Sequence, residues 1–164
     1  MSNDLDITSD TDFNMDEVDD MPQFVNDIDG IYSCSLSLSR DSGERNDKPY
    51  DNIVFAFTIK EALEEKVDHG VSPEDMVYVR FSLIKSKKDL EENRKDSYGL
   101  RMAKPLLIAL KDSLGTGSSL NNILKESQDV AVTATFATRK SQVKQDDGSV
   151  KEYSNINIKK LIVA

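Results

Sequence analysis

Cations and tyrosines recur together along this 164-residue chain: Arg45, Lys48 and Tyr50; then Tyr78 and Arg80; then Arg139, Lys140, Lys144, Lys151 and Tyr153. These residue types suit a flexible polymer that carries phosphates and rings. Lysine and arginine follow the phosphates, while aromatic faces stack on bases at about 1–3 kcal/mol each. Each residue also has an ordinary structural use, since tyrosines cover sheet edges and cations populate exposed hairpins. Asp41, Glu44, Asp47, Asp146 and Asp147 share the same stretches. The recurrence, more than any single residue, carries the expectation.

Other chemistries find less support. The single cysteine, Cys34, has no partner for an internal disulfide, and with the single histidine, His69, it makes too small a set for zinc. A nucleophilic site needs a positioned base. His69 stands beside Gly70 in a charged stretch, however, and Cys34 falls on the apolar parity of a strand. Glu64 and Glu65 are adjacent, so a helix would point them apart. Gly115-Thr116-Gly117-Ser118-Ser119 lacks the lysine of a phosphate-cradling loop and follows a helical pattern, so it reads as a linker. The expectation is a non-enzymatic protein without metal or cofactor. No uncharged run approaches the ~18 residues of a membrane span, and the N-terminus is acidic where a signal peptide is basic. A soluble, intracellular, cytoplasmic protein is expected.

Charge divides the chain. Net charge is −9, from 21 basic and 30 acidic residues. Ten of the acidic residues lie in positions 1–29, which hold no lysine or arginine, so residues 30–164 are nearly neutral. From position 76 onward the balance is basic. Residues 1–29 carry too few apolar groups against too much like charge to offset their ordering entropy, which predicts a disordered acidic arm. Phe13, Met15 and Val18 inside that acidic run fit a segment that docks on a basic, partly apolar groove. Residues 30–164 form the expected domain.

The elements that must position the cations and tyrosines follow from periodicity. Tyr32, Cys34, Leu36 and Leu38 alternate with serines, giving a half-buried first strand. Residues 40–52 read as a polar loop. Ile53, Phe55, Phe57 and Ile59 mark the inner face of a second strand, and residues 60–69 read as a short helix ended by Gly70. Val77, Val79 and Phe81 make the inner face of a third strand, with Tyr78 and Arg80 on the other parity. After a charged connection over 85–96, Leu106, Leu107, Leu110 and Leu114 fall on one helical face, with Pro105 in the first turn and Gly115 as the stop. A second short helix follows Ser118 or Ser119. Residues 129–163 then read as a hairpin turning at Asp146-Asp147-Gly148, with Lys159 and Lys160 marking a bulge.

Three strands, a helical segment and a two-stranded hairpin match the five-stranded Greek-key barrel called the OB-fold, whose helix lies between strands three and four. An open α+β sheet uses the same elements. In an OB-fold the ligand crosses strands two and three between the loops that join strands one to two and four to five, where the cations and tyrosines fall. The stretch Tyr98-Gly99-Leu100-Arg101-Met102-Ala103-Lys104-Pro105 before an apolar helix, then Asp129-Val130-Ala131-Val132-Thr133, and a charged hairpin returning through Tyr153-Ser154-Asn155-Ile156 to Lys159-Lys160, resembles small OB-fold single-stranded DNA-binding proteins of bacteriophages. The resemblance covers about the last 70 residues. It implies a protein that coats and protects single strands during replication or recombination in a phage-infected cell. It also implies an acidic tail that recruits replication or recombination proteins or competes with DNA. In those proteins the tail is usually C-terminal, whereas here it is N-terminal. The composition also fits a different reading, an acidic interaction protein engaging a basic host protein with the barrel as scaffold. A homo-oligomer is compatible with either.

Overall fold

The computed structural model describes residues 12, 14–17 and 23–164. Strands β1 (Gly30–Arg45), β2 (Lys48–Glu65) and β3 (Met76–Ser82) come first. Helices α1 (Lys87–Glu91), α2 (Tyr98–Leu114) and α3 (Leu120–Glu126) follow, and strands β4 (Val130–Lys144) and β5 (Val150–Val163) complete the chain. All strand pairs are antiparallel, in one sheet of order β3-β2-β1-β4-β5. No ladder joins β3 to β5. The sheet is therefore open by its hydrogen bonds, although α2 packs against both of these edge strands.

The alternating residues form the core as the patterning predicts. Tyr32, Leu36, Ile53, Phe55, Phe57 and Val77 are fully buried, and Phe57 meets Phe136 edge-on at 4.9 Å between ring centroids. Aromatic pairs of this geometry add to plain area burial. Leu106, Leu107 and Leu110 bury one stripe of α2 against this core, while Leu114 stays partly exposed. Lys159 is the extra residue on β5, because Thr135 faces Lys160 and Phe136 faces Ile158. The predicted bulge is present there.

Four expectations change. Residues 40–52 are not a loop: β1 and β2 run on as a two-stranded ribbon joined at Asn46 and Asp47, both at positive φ. Both faces of this ribbon are wet, so it has no apolar alternation to read. Residues 60–65 are strand rather than helix, paired with the start of β1. Tertiary pairing overrides the helix preference of Glu, Ala and Leu there. Helix α2 starts at the Ser97 cap, whose side chain accepts from the Leu100 N–H, so Pro105 sits inside the helix and not in its first turn. Gly99 permits this start, because a Cβ at that position would overlap the Ser82 backbone.

The fourth change concerns the arm. Residues 23–29, assigned to it by composition, pack on the domain. Ile28 is fully buried, its N–H donates to Thr138 Oγ1 (2.8 Å), and that hydroxyl donates back to the Ile28 carbonyl (3.0 Å). Phe24 forms a parallel bridge with Met76. Met15–Glu17 is a single exposed 3-10 turn. The disorder expected of the arm otherwise falls on residues 1–11, 13 and 18–22, which lie outside the described residues. No helix among the described residues is long and apolar enough to cross a membrane.

Candidate nucleic-acid interface

The open seam between β3 and β5 is a groove of about 1360 Å³. Tyr78 and Arg80 of β3 line one side, Arg139 of β4 and Tyr153 of β5 the other, and Tyr98 and Met102 of α2 close it from above. Leu106, Ile156 and Ile158 give it an apolar floor. Arg80, Arg139 and Lys159 face one carboxylate among the lining residues, Glu152. Glu152 Oε1 lies 4.0 Å from Lys140 Nζ, so its charge is partly answered outside the groove. Arg80 and Arg139 make no ion pair among the described residues.

Local structure explains how the rings are held. Each tyrosine at issue has a cation over its face: Arg80 over Tyr78 at 5.4 Å, Arg101 over Tyr98 at 5.8 Å, Lys151 over Tyr153 at 5.2 Å and Arg45 over Tyr50 at 5.6 Å. Such contacts contribute modestly at exposed sites. Directly opposed antiparallel residues share a face, which puts Arg139 with Asn155, Ser141 with Tyr153, and Val143 with Lys151 on one side of the hairpin.

Tyr98 is held by a small ionic network. Buried Asp89 accepts from Arg101 Nη2 (2.7 Å), the Ser86 N–H (2.8 Å) and the Tyr98 N–H (3.0 Å). The Arg101 guanidinium, helped by the Ser86 amide, holds the Asp89 carboxyl well below the usual carboxylate range. Charge-assisted bonds of this kind fix the start of α2 to α1, and with it the tyrosine, while the Ser97 hydroxyl donates to the Ser82 carbonyl of β3 (2.6 Å).

The residues expected to form one site fall in two places. Tyr78, Arg80, Arg139 and Tyr153 line the groove, and Lys140, Lys144 and Lys151 lie on the hairpin that extends from it. Arg45, Lys48 and Tyr50 do not join them. In the β1·β4 ladder, Gly30 faces Phe136 and Leu36 faces Val130. Beyond Leu36, β1 continues one way, and beyond Phe136, β4 continues the other. The two hairpins therefore leave the ladder at opposite ends. Arg40, near the first of them, is already paired with Asp51 at 2.6 Å.

Sequence reasoning overlooked Tyr98 and Phe24. Tyr98 is 60% exposed at the groove, and Phe24 is 57% exposed with its ring 5.3 Å from that of Tyr78. The lone tyrosine at a predicted helix boundary was the available signal for the first. For the second no local signal existed.

The other candidates have structural places. Cys34 is buried in β1, where desolvation pushes its thiol up to about 12. His69 Nε2 lies 3.0 Å from Asp29 Oδ2. Gly115 ends α2 in the left-handed conformation and Ser119 is the N-cap residue of α3, so the glycine-serine stretch is a helix linker. Among the described residues no cluster of His, Cys, Asp or Glu could hold a metal ion. Comparison with protein-family models, curated proteins and solved structures finds no match to this chain. The functional reading therefore rests on the geometry of the groove.

Proposed function

We propose that this chain is a non-enzymatic single-stranded DNA-binding protein of the phage type, holding its ligand in the groove between β3 and β5. The observation that carries the reading is the convergence of Tyr78, Tyr98 and Tyr153 with Arg80, Arg139 and Lys159 around one open cleft that holds a single carboxylate. Tyrosine faces stack bases and the cations meet phosphates, while the hairpin lysines extend the cationic surface along both of its faces, Lys151 on the side of Arg139 and Tyr153, Lys140 and Lys144 on the other. The strand order supports an OB-type barrel whose seam is bridged by α2 instead of a ladder. Arg45, Lys48 and Tyr50 are left outside the main path.

The protein would coat exposed strands in replication or recombination. The acidic residues before position 23 would recruit partners or compete with DNA for the cations. Because Ile28 belongs to the core, that competition is tested by removing residues 1–22, which should tighten binding at low salt. The charge concentrated in positions 1–29 favours a second reading, in which the arm engages a basic protein and the domain is its scaffold.

Fluorescence anisotropy of labelled oligo(dT), repeated with duplex DNA and RNA, separates the two. Micromolar or tighter, salt-sensitive binding with preference for flexible strands is the expected result. Absence of binding by the chain lacking residues 1–22 refutes the first reading.

A further inference from the structure

We propose that Phe24 is a base-stacking residue of the groove and that residues 23–26 form one of its walls. This inference rests on the reading of the groove as a single-strand site. The Met76 N–H donates to the Gln23 carbonyl (2.8 Å), and the Val25 N–H donates to the Met76 carbonyl (2.9 Å), fixing the segment along the free edge of β3. Downstream it is anchored by the Ile28–Thr138 pair and by the Thr138 N–H donating to Asp29 Oδ1 (3.3 Å). Val25 and Asn26 then line the groove, and the Phe24 ring lies against Tyr78, tilted 42°.

Two features point to a ligand rather than to packing. The first is exposure: a phenylalanine recruited for burial would be covered, yet Phe24 is 57% exposed, although its backbone is fixed on both sides. The second is the edge beside it. Backbone groups alternate in direction along a strand. Met76 spends its N–H and carbonyl on the segment, so those of Tyr78 and Arg80 point the same way, into the groove. At the far end the Ser82 carbonyl is taken by the Ser97 hydroxyl at 2.6 Å. Among the described residues the free edge of β3 is thus stoppered at Met76 and Ser82 and open at Tyr78 and Arg80, a window of about 20 Å between the stoppers by strand rise. Phe24 stands at one end of this window and Tyr98 lines the groove beyond the other. A base entering it finds a ring to lie on, next to backbone donors and acceptors that make no hydrogen bond among the described residues. Every base has a π-face, so Phe24 contributes affinity without base preference.

The chain contains no tryptophan, which allows a direct test with Phe24→Trp as the sole indole. Its emission should be quenched by oligo(dT) and oligo(dA), saturating at the concentration where labelled-oligonucleotide anisotropy saturates for the wild type. Phe24→Ala should weaken binding by roughly 5- to 150-fold with little change in melting temperature. Phe24→Leu, which keeps apolar bulk but no ring, should weaken it as much. Unchanged indole emission at saturation, wild-type affinity in Phe24→Ala, or rescue by Phe24→Leu would each overturn the proposal while leaving the groove assignment standing. If wild-type protein fails to bind either oligonucleotide, both fall together.

Discussion

Salt dependence offers the most discriminating test of where the ligand runs, because the structure separates cations that the sequence places in one site. Each phosphate neutralised on a single strand contributes about −0.7 to the slope of log K against log salt. If Arg80, Arg139 and Lys159 in the groove and Lys140, Lys144 and Lys151 on the hairpin each meet one phosphate, the slope is about −4. Affinity then falls about 300-fold between 50 and 200 mM salt. Replacing Lys140, Lys144 and Lys151 together by serine should flatten the slope to about −2, cutting that loss to about 20-fold. Lys140 should contribute least of the three, since it lies 4.0 Å from Glu152. The paired variant Arg45→Ser with Lys48→Ser should leave the slope unaltered, because that hairpin leaves the ladder at the other end. Anisotropy titrations of a short labelled oligo(dT) at four or five salt concentrations measure all three slopes. A flattened slope in the Arg45/Lys48 variant with an unchanged slope in the lysine triple would refute the placement of the strand in the β3–β5 groove.

Four further outcomes test the architecture. Ile28→Ala should cost about 2–5 kcal/mol of stability in urea unfolding, because Ile28 is fully buried; a midpoint equal to wild type would remove residues 23–29 from the domain. Gly99→Ala should cost about 1–3 kcal/mol, since the added methyl meets the Ser82 backbone; a neutral result would mean that α2 can shift freely on β3. Cys34, with its thiol pushed up to about 12 by burial, should ignore a chromogenic disulfide reagent at pH 8 in the native state and react once denatured. Asp89 has a depressed folded pKa, so its stabilisation is fully present above the ordinary carboxylate value of ~3.9 and is lost as pH falls below it. Asp89→Asn should therefore lower stability at pH 7 and flatten the acid limb of the stability profile below pH ~4, as read by thermal melts across pH.

Legibility of the fold in the sequence followed solvent asymmetry. Where one face is dry and the other only partly covered, as at Tyr32 to Leu38, alternation names the strand and its inner residues correctly; in Ile53 to Ile59 it does so too, although Val54 on the other parity is also buried. Where both faces are wet, as in the β1–β2 ribbon, nothing alternates and a strand looks like a loop. Glu61 to Glu65 prefers a helix locally but pairs with the start of β1 across a register shift, a constraint set far away in sequence. Phe24 and Ile28 were outweighed by the acidic residues around them, although burial of Ile28 is enough to dock the segment. The parity of Tyr78 and Arg80 was readable, and so was the bulge at Lys159. The separation of the two cationic hairpins was not, because only the β1·β4 register determines which end each one leaves.

Hydrogen-bonded strands are held about 4.8 Å apart whatever their side chains. Across the seam of this sheet no such ruler applies, because β3 and β5 approach each other without a ladder while α2 packs on both and its residues Met102 and Leu106 line the opening. Side-chain bulk on one turn of α2 thus contributes to the gauge of the opening. Trimming or enlarging those two residues would retune the aperture while every strand kept its register.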